Sequence, residues 1–218
     1  MQISALQSQS LILIGGWLLY FILHSLLASL TVKQWLASRQ PEWLPGYRLF
    51  FNVVAVLTLL PLLYLIYAKP GPTLWAWQGI SWLLVNSLAL MAVVGFVWSM
   101  RYYSGDEFLG LRQWREGVRS VEDQEHLHIS PMHRFVRHPW YFLGLLLIWT
   151  RDMSLSFFIS ACLMTLYFIF GSWLEERKLL VYHGERYRRY RQQVPGLIPL
   201  PWKYLGREQA EALLRDTD

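Results

Sequence analysis

The sequence predicts an all-α, polytopic integral membrane protein of about five transmembrane helices with a cytoplasmic C-terminal helical cap. Three observations predict it. The chain contains several apolar runs of bilayer-spanning length. Only 16% of its 218 residues are charged, where soluble domains carry about a quarter. Its basic residues gather at alternate ends of the apolar runs. The runs are continuous rather than alternating, which excludes a barrel. Backbone exposed to lipid must then satisfy its own hydrogen bonds as helix.

Residues 11–30 form the first span, and the ten residues before it hold no Lys or Arg. A cleaved signal peptide would want a basic start. Residues 47–67 form the second, with Arg48 at its start and Asn52 inside. Residues 80–100 form the third, with Trp75, Trp77 and Trp82 near one end and Trp98 at the other, as at bilayer interfaces. Residues 140–150 are apolar but short and follow Pro139. At about 1.5 Å per residue they reach roughly half the hydrocarbon core. They form either one arm of a tight hairpin or a helix whose polar start is sunk into the headgroup zone. Residues 153–174 form the last span. With five spans and the N-terminus outside, eighteen Lys and Arg fall inside and two, Lys69 and Arg151, outside. The expected location is therefore an inner membrane if the chain is bacterial, with a cytoplasmic C-terminus. The organisation reads as residues 1–100, a three-helix membrane region; 101–201, a polar-rich region of loop, helical hairpin and C-terminal helices; and 202–218, a tail in which Ala210, Leu213 and Leu214 suggest a short amphipathic helix.

Composition excludes a disordered chain, a coiled coil and a disulfide scaffold. Cys162 is the single cysteine, so it forms no internal disulfide. The net charge of +5 could suit nucleic acid, but the apolar bulk makes the lipid bilayer the partner. No metal site is read: His126 and His128 stand two apart, a poor helical spacing. There is no phosphate-binding glycine loop, dinucleotide fingerprint or nucleophile elbow.

Polar residues concentrate in segments 101–141 and 175–201, on the same predicted side. Arg137-His138-Pro139-Trp140-Tyr141 opens the short apolar helix, with Pro139 suited to a first helical turn. His138 and Tyr141, three apart, share a face if that turn is helical. Interfacial anchoring alone would also use Arg, Trp and Tyr here. Glu175 and Glu176 stand where the last span leaves the bilayer, where carboxylates are costly unless paired. Arg137 is the natural partner. Gly184 reads as a helix stop and Glu185 as a new start. Tyr187 and Arg191, four apart, share a face. Arg186, Arg188 and Arg189 read as a basic face on anionic lipid. His24, within the first span, either faces a substrate or makes a bundle hydrogen bond to Ser25, Asn52 or Asn86. Asn86 reads as an inter-helix contact.

The ordered set Arg137-His138-Pro139-x-Tyr141, Glu175-Glu176, Gly184-Glu185-x-Tyr187-x-x-Tyr190, then Val194-Pro195 and Pro199 resembles the isoprenylcysteine carboxyl methyltransferase superfamily, which includes phospholipid N-methyltransferases. Upstream, His24 to Ser29, Tyr47-Arg48 with Asn52, and Phe108 to Gln113 resemble its nurim-like branch, which includes methanethiol S-methyltransferases. One departure is Gly144, where many members place the small residue one position nearer to the Tyr.

The resemblance implies methyl transfer from S-adenosylmethionine to a small or lipophilic acceptor: a thiol, a carboxylate or a phospholipid amine, with the thiol favoured. Carried over, it implies a cofactor site of Arg137, His138, Tyr141, Glu175, Glu176, Tyr187 and Tyr190. His138, Glu176 and Arg191 would be its catalytic residues, and His24 with Asn52 would meet the acceptor. Two other classes remain open: an NADPH-dependent double-bond reductase of the sterol type, which shares a His-Pro-x-Tyr element, and a non-catalytic nurim-like membrane protein.

Overall fold

The computed structural model describes residues 2–119, 121 and 127–215, with residues 2–5 described by backbone alone; His126 lies outside the described residues. Its helices in chain order are α1 (Gln2–Ala28), α2 (Leu30–Arg39), α3 (Leu44–Ala68), α4 (Gly79–Ser99), α5 (Gly105–Leu109), α6 (Leu111–Glu116), α7 (Pro139–Trp149), α8 (Leu155–Gln193) and α9 (Arg207–Arg215). Four helical stretches among the described residues are long and apolar enough to span a bilayer: Leu6–Ala28, Pro41–Ala68, Gly79–Tyr102 and Leu155–Gln193. The protein is an all-α polytopic membrane protein. α7, at 11 residues, is a shorter apolar helix.

Two helix boundaries and one added element differ from the sequence reading. The first helix ends at Ala28 because Ser29 takes an extended conformation and its hydroxyl accepts from Val32 N at the start of α2, a capping role that competes with helix continuation. The last helix outruns its apolar stretch and continues to Gln193, broken only at Gly184, whose φ of 44° and ψ of −126° are not helical. Finally, a small antiparallel pair, β1 (Thr73–Trp75) with β2 (Met153–Ser154), interrupts the helical pattern.

The chain forms two compact units. The first comprises Met1–Trp77, Tyr103–Asp123 and Asp152–Met164. Its core joins Leu13 and Trp17 of α1 to Leu62 and Ile66 of α3. Gly16 permits that approach, since a Cβ there would stand 2.7 Å from Leu62 Cδ2. Trp17 Nε1 donates to Ser160 Oγ at 2.8 Å. The α5–α6 loop is laid on the start of α3. Gly110 joins the two short helices at φ +88°, and a Cβ there would meet Leu49 N at 2.9 Å. Asn52 Nδ2 donates to the carbonyls of Phe108 and Leu109 at 3.2 and 3.1 Å.

The second unit comprises Gln78–Tyr102, Gln124–Arg151 and Thr165–Asp218. Here α7 lies along α4, with Leu143 over Gly95 and Trp140 Nε1 donating to Ser99 Oγ at 2.9 Å. Close approach at a glycine is how helices pack where lipid removes the hydrophobic drive. Tyr187, Tyr190, Val194, Leu205, Ala210 and Leu213 form a second core that seats α9. Asn86 Nδ2 donates to Trp82 O, one turn back in its own helix, at 2.8 Å.

Candidate active site

The second unit builds the site from two strands of chain that meet without forming a sheet. Arg137 N donates to Pro195 O at 2.9 Å, and His138 N donates to Gly196 O at 3.1 Å. Pro139 then starts α7 and needs no N–H partner. These two bonds fix Arg137 and His138 against the segment that follows α8.

Arg137 is held from every side. Its Nε and Nη2 donate to Glu176 Oε1 at 2.9 and 2.7 Å, and Nη1 donates to Arg191 O at 2.9 Å and to Val194 O. The two side chains are 12% and 11% exposed, so each charge is compensated where water is scarce. Gly196 closes the cradle: a Cβ there would lie 3.2 Å from Arg137 Nη2.

His138 joins the same carboxylate. Its Nε2 lies 3.1 Å from Glu176 Oε1, and its Nδ1 lies 3.4 Å from Glu175 Oε2. Two carboxylates on two ring nitrogens favour the imidazolium, which can donate to both. Burial pulls the His138 pKa down, but the hydrogen bonds and charges of Glu175 and Glu176 outweigh it, and the net shift is upward. His133 shows the opposite case. Burial, with repulsion from His128 and His138, lowers its pKa to about 3, and its Nδ1 sits 2.7 Å from Ser130 Oγ.

Glu175 is half exposed, at 50%, and is the freer carboxylate. The His138 ring stacks on Tyr141 at 5.4 Å between centroids, and Tyr141 stacks on Phe168 at 4.8 Å and 5°. Gly144 accounts for the third ring: a Cβ there would press on Phe168 at 3.3 Å. The position that departs from the family pattern is thus the one that admits Phe168. Arg191 Nε lies 4.0 Å from Glu176 Oε2, with its side chain 47% exposed. Tyr190 donates its hydroxyl to His133 O at 2.7 Å. Tyr187 is 1% exposed, and its hydroxyl has no hydrogen-bond partner among the described residues, although Glu176 and Arg137 both act on it electrostatically.

The structure therefore gathers Arg137, His138, Tyr141, Glu175, Glu176, Tyr187, Tyr190 and Arg191 in one unit. His24 and Asn52 lie in the other. There His24 stacks on Tyr20 and meets Phe51 at 4.8 Å between centroids, while Asn52 uses its amide nitrogen to hold the α5 carbonyls. Sequence reasoning missed Phe168 and the carbonyls of residues 194–196. Among the described residues, no group of three or more His, Cys, Asp or Glu is placed to hold a metal ion.

The fold is that of an all-α membrane protein, and similarity to known proteins makes its class a membrane methyltransferase. The chain is 31% identical over 185 residues to "Methanethiol S-methyltransferase 2" of Bradyrhizobium diazoefficiens, covering 83% of this chain and 70% of that one. It is 28% identical over 187 residues to the methanethiol S-methyltransferase of Crocosphaera subtropica, covering 83% and 71%. It is 26% identical over 194 residues to that of Pseudomonas deceptionensis, covering 83% and 69%. No protein-family model and no solved structure matches the chain. The chain belongs to the methanethiol S-methyltransferase family.

Proposed function

We propose that the protein transfers a methyl group from S-adenosylmethionine to a small thiol of the methanethiol class. The observation that carries this reading is the Arg137–Glu176–His138 cluster beside the orphaned, buried Tyr187 hydroxyl. A buried polar atom without a partner is costly, and a ligand carrying hydroxyl, amine and carboxylate groups would supply one. Glu175 and Glu176 suit the cofactor's ammonium and ribose groups. Arg191, only partly committed to Glu176, suits its carboxylate. The Tyr141–Phe168 stack offers ring faces for adenine.

When bound, this cofactor supplies a methyl carbon activated by an adjoining sulfonium. The chain's task is then alignment and exclusion of water, which supply much of the rate of an in-line displacement. Held by Glu175, Glu176 and Arg191, the donor would supply an electrophilic methyl group and would leave as a neutral thioether, while the acceptor thiol would give up its proton. Thiol sulfur is intrinsically nucleophilic, and a neutral thiol must lose its proton as it attacks. His138 is poorly placed as a base because both ring nitrogens face carboxylates. Glu175, half exposed, is the residue to accept the thiol proton.

The proposed arrangement in the membrane is five spans, α7 included, in a cytoplasmic membrane with the C-terminus inside. The eighteen-to-two distribution of basic residues supports it. His24 is proposed to meet the acceptor. The test is incubation of protein reconstituted in lipid nanodiscs with isotopically methyl-labelled cofactor and methanethiol. Labelled dimethyl sulfide in the headspace, lost with Glu176→Gln, is expected. Labelled phospholipid instead of dimethyl sulfide would overturn the acceptor assignment.

A further inference from the structure

The first unit contains an open groove of about 630 Å³ that none of Arg137, His138, Glu175 or Glu176 lines. Its walls are Leu36, Trp43, Tyr47, Phe50 and Trp114. The volume falls within the range of ligand clefts, roughly 300–1,000 Å³. Tyr47 is a fixed wall, since its hydroxyl donates to Leu27 O at 2.7 Å. Trp43, Phe50 and Trp114 are 66%, 55% and 61% exposed. Trp43 and Phe50 stand in the first part of the span Pro41–Ala68, where aromatic side chains favour the headgroup zone, and Trp114 joins them from α6.

The polar side chains of the lining are Gln40 and Glu42, beside the Tyr47 hydroxyl already bonded to Leu27 O. Glu42 is its one charged side chain. The nearby basic residues of α6 are matched by acids: Arg112 pairs with Glu107 and Glu116, and Arg115 with Asp106. A largely aromatic lining that includes a carboxylate with no ion pair among the described residues complements a long apolar chain with a cationic head.

We propose that this groove binds a membrane phospholipid, with its acyl chain along the aromatic wall and its ammonium head at Glu42. A lipid with an anionic glycerol head places no cation opposite Glu42 and is disfavoured there. This assignment is independent of the methyl acceptor.

The test uses the full chain in nanodiscs containing a photoactivatable phospholipid with a diazirine on the acyl chain, bearing either an ethanolamine or a glycerol head. After irradiation, adducts are mapped by peptide mass spectrometry. Adducts should concentrate on residues 36–50 and Trp114, with the ethanolamine lipid favoured about threefold, the scale of one exposed ion pair. Glu42→Gln should abolish that preference. Gly46 also lines the groove, and a Cβ there meets nothing within 4 Å. Gly46→Leu adds a bulky side chain to the lining at a position where the Cβ itself meets no neighbour, and should reduce the groove's adducts to the level of the other lipid-facing helices. Adducts spread evenly over the spans in the wild-type protein would overturn the proposal. So would groove labelling that persists in Gly46→Leu, or equal labelling by the two head groups.

Discussion

Replacing Arg137 with Met removes the charge opposite Glu176 while keeping a side chain of similar length. Four side-chain hydrogen bonds go with it: two to Glu176 Oε1, and one each to the carbonyls of Arg191 and Val194. Glu176, 11% exposed, is left with His138 and the more distant Arg191. Breaking a buried ion pair from one side costs about 3–5 kcal/mol, which is a large share of a typical total of roughly 5–15 kcal/mol. For a chain of this size that corresponds to a fall in unfolding midpoint of about 6–20 °C, measured by intrinsic fluorescence in detergent. A double variant, Arg137→Met with Glu176→Leu, removes both charges and should be less destabilised than the sum of the single variants, with a coupling of about 0.5–3 kcal/mol. A midpoint within 2 °C of wild type for Arg137→Met, or strict additivity in the double variant, would refute the view that this pair is a buried, mutually compensated unit.

Three further outcomes follow from the same geometry. His138 has a folded pKa above its ordinary 6.5, so its contribution is fully present below that value and is lost as pH rises through the folded pKa; the midpoint difference between wild type and His138→Gln should shrink from about pH 6 to pH 9, and a flat difference would contradict the imidazolium assignment. Gly110→Ala must hold a left-handed φ against Leu49 N and Arg48 Cβ, costing at least about 1–3 kcal/mol, whereas Gly105→Ala meets nothing within 4 Å and should leave thermal stability unchanged or raised. Gly196→Ala presses on Arg137 Nη2 and should weaken cofactor affinity about tenfold, near 1.4 kcal/mol, with little change in unfolding midpoint; unchanged affinity by calorimetry would place the cofactor elsewhere.

What the sequence made legible was whatever is written in runs and in costs. Continuous apolar stretches located the long helices because backbone in lipid has few alternatives. The expense of Glu176 near the bilayer pointed to a cationic partner, and Arg137 fills that place. Gly184 announced the break in α8. The features that escaped leave no such mark. Any residue can offer a carbonyl, so the role of residues 194–196 in holding Arg137 and His138 was invisible. Phe168 sits in an apolar run like its neighbours, and only the space above Gly144 singles it out. Ser29 was hidden in a continuous apolar reading, because a capping hydroxyl costs little in average hydropathy while ending a helix. Asn86 satisfied itself on its own helix, an option open to any short polar side chain.

The central claim is that the Arg137–Glu176–His138 cluster holds the methyl donor, and isothermal calorimetry on the purified protein tests it most directly. S-adenosylmethionine should bind saturably to the wild-type protein and not to a folded Glu176→Gln variant, while NADPH gives no saturable heat. Equal affinity of the two proteins for S-adenosylmethionine, or saturable binding of NADPH alone, would contradict the account.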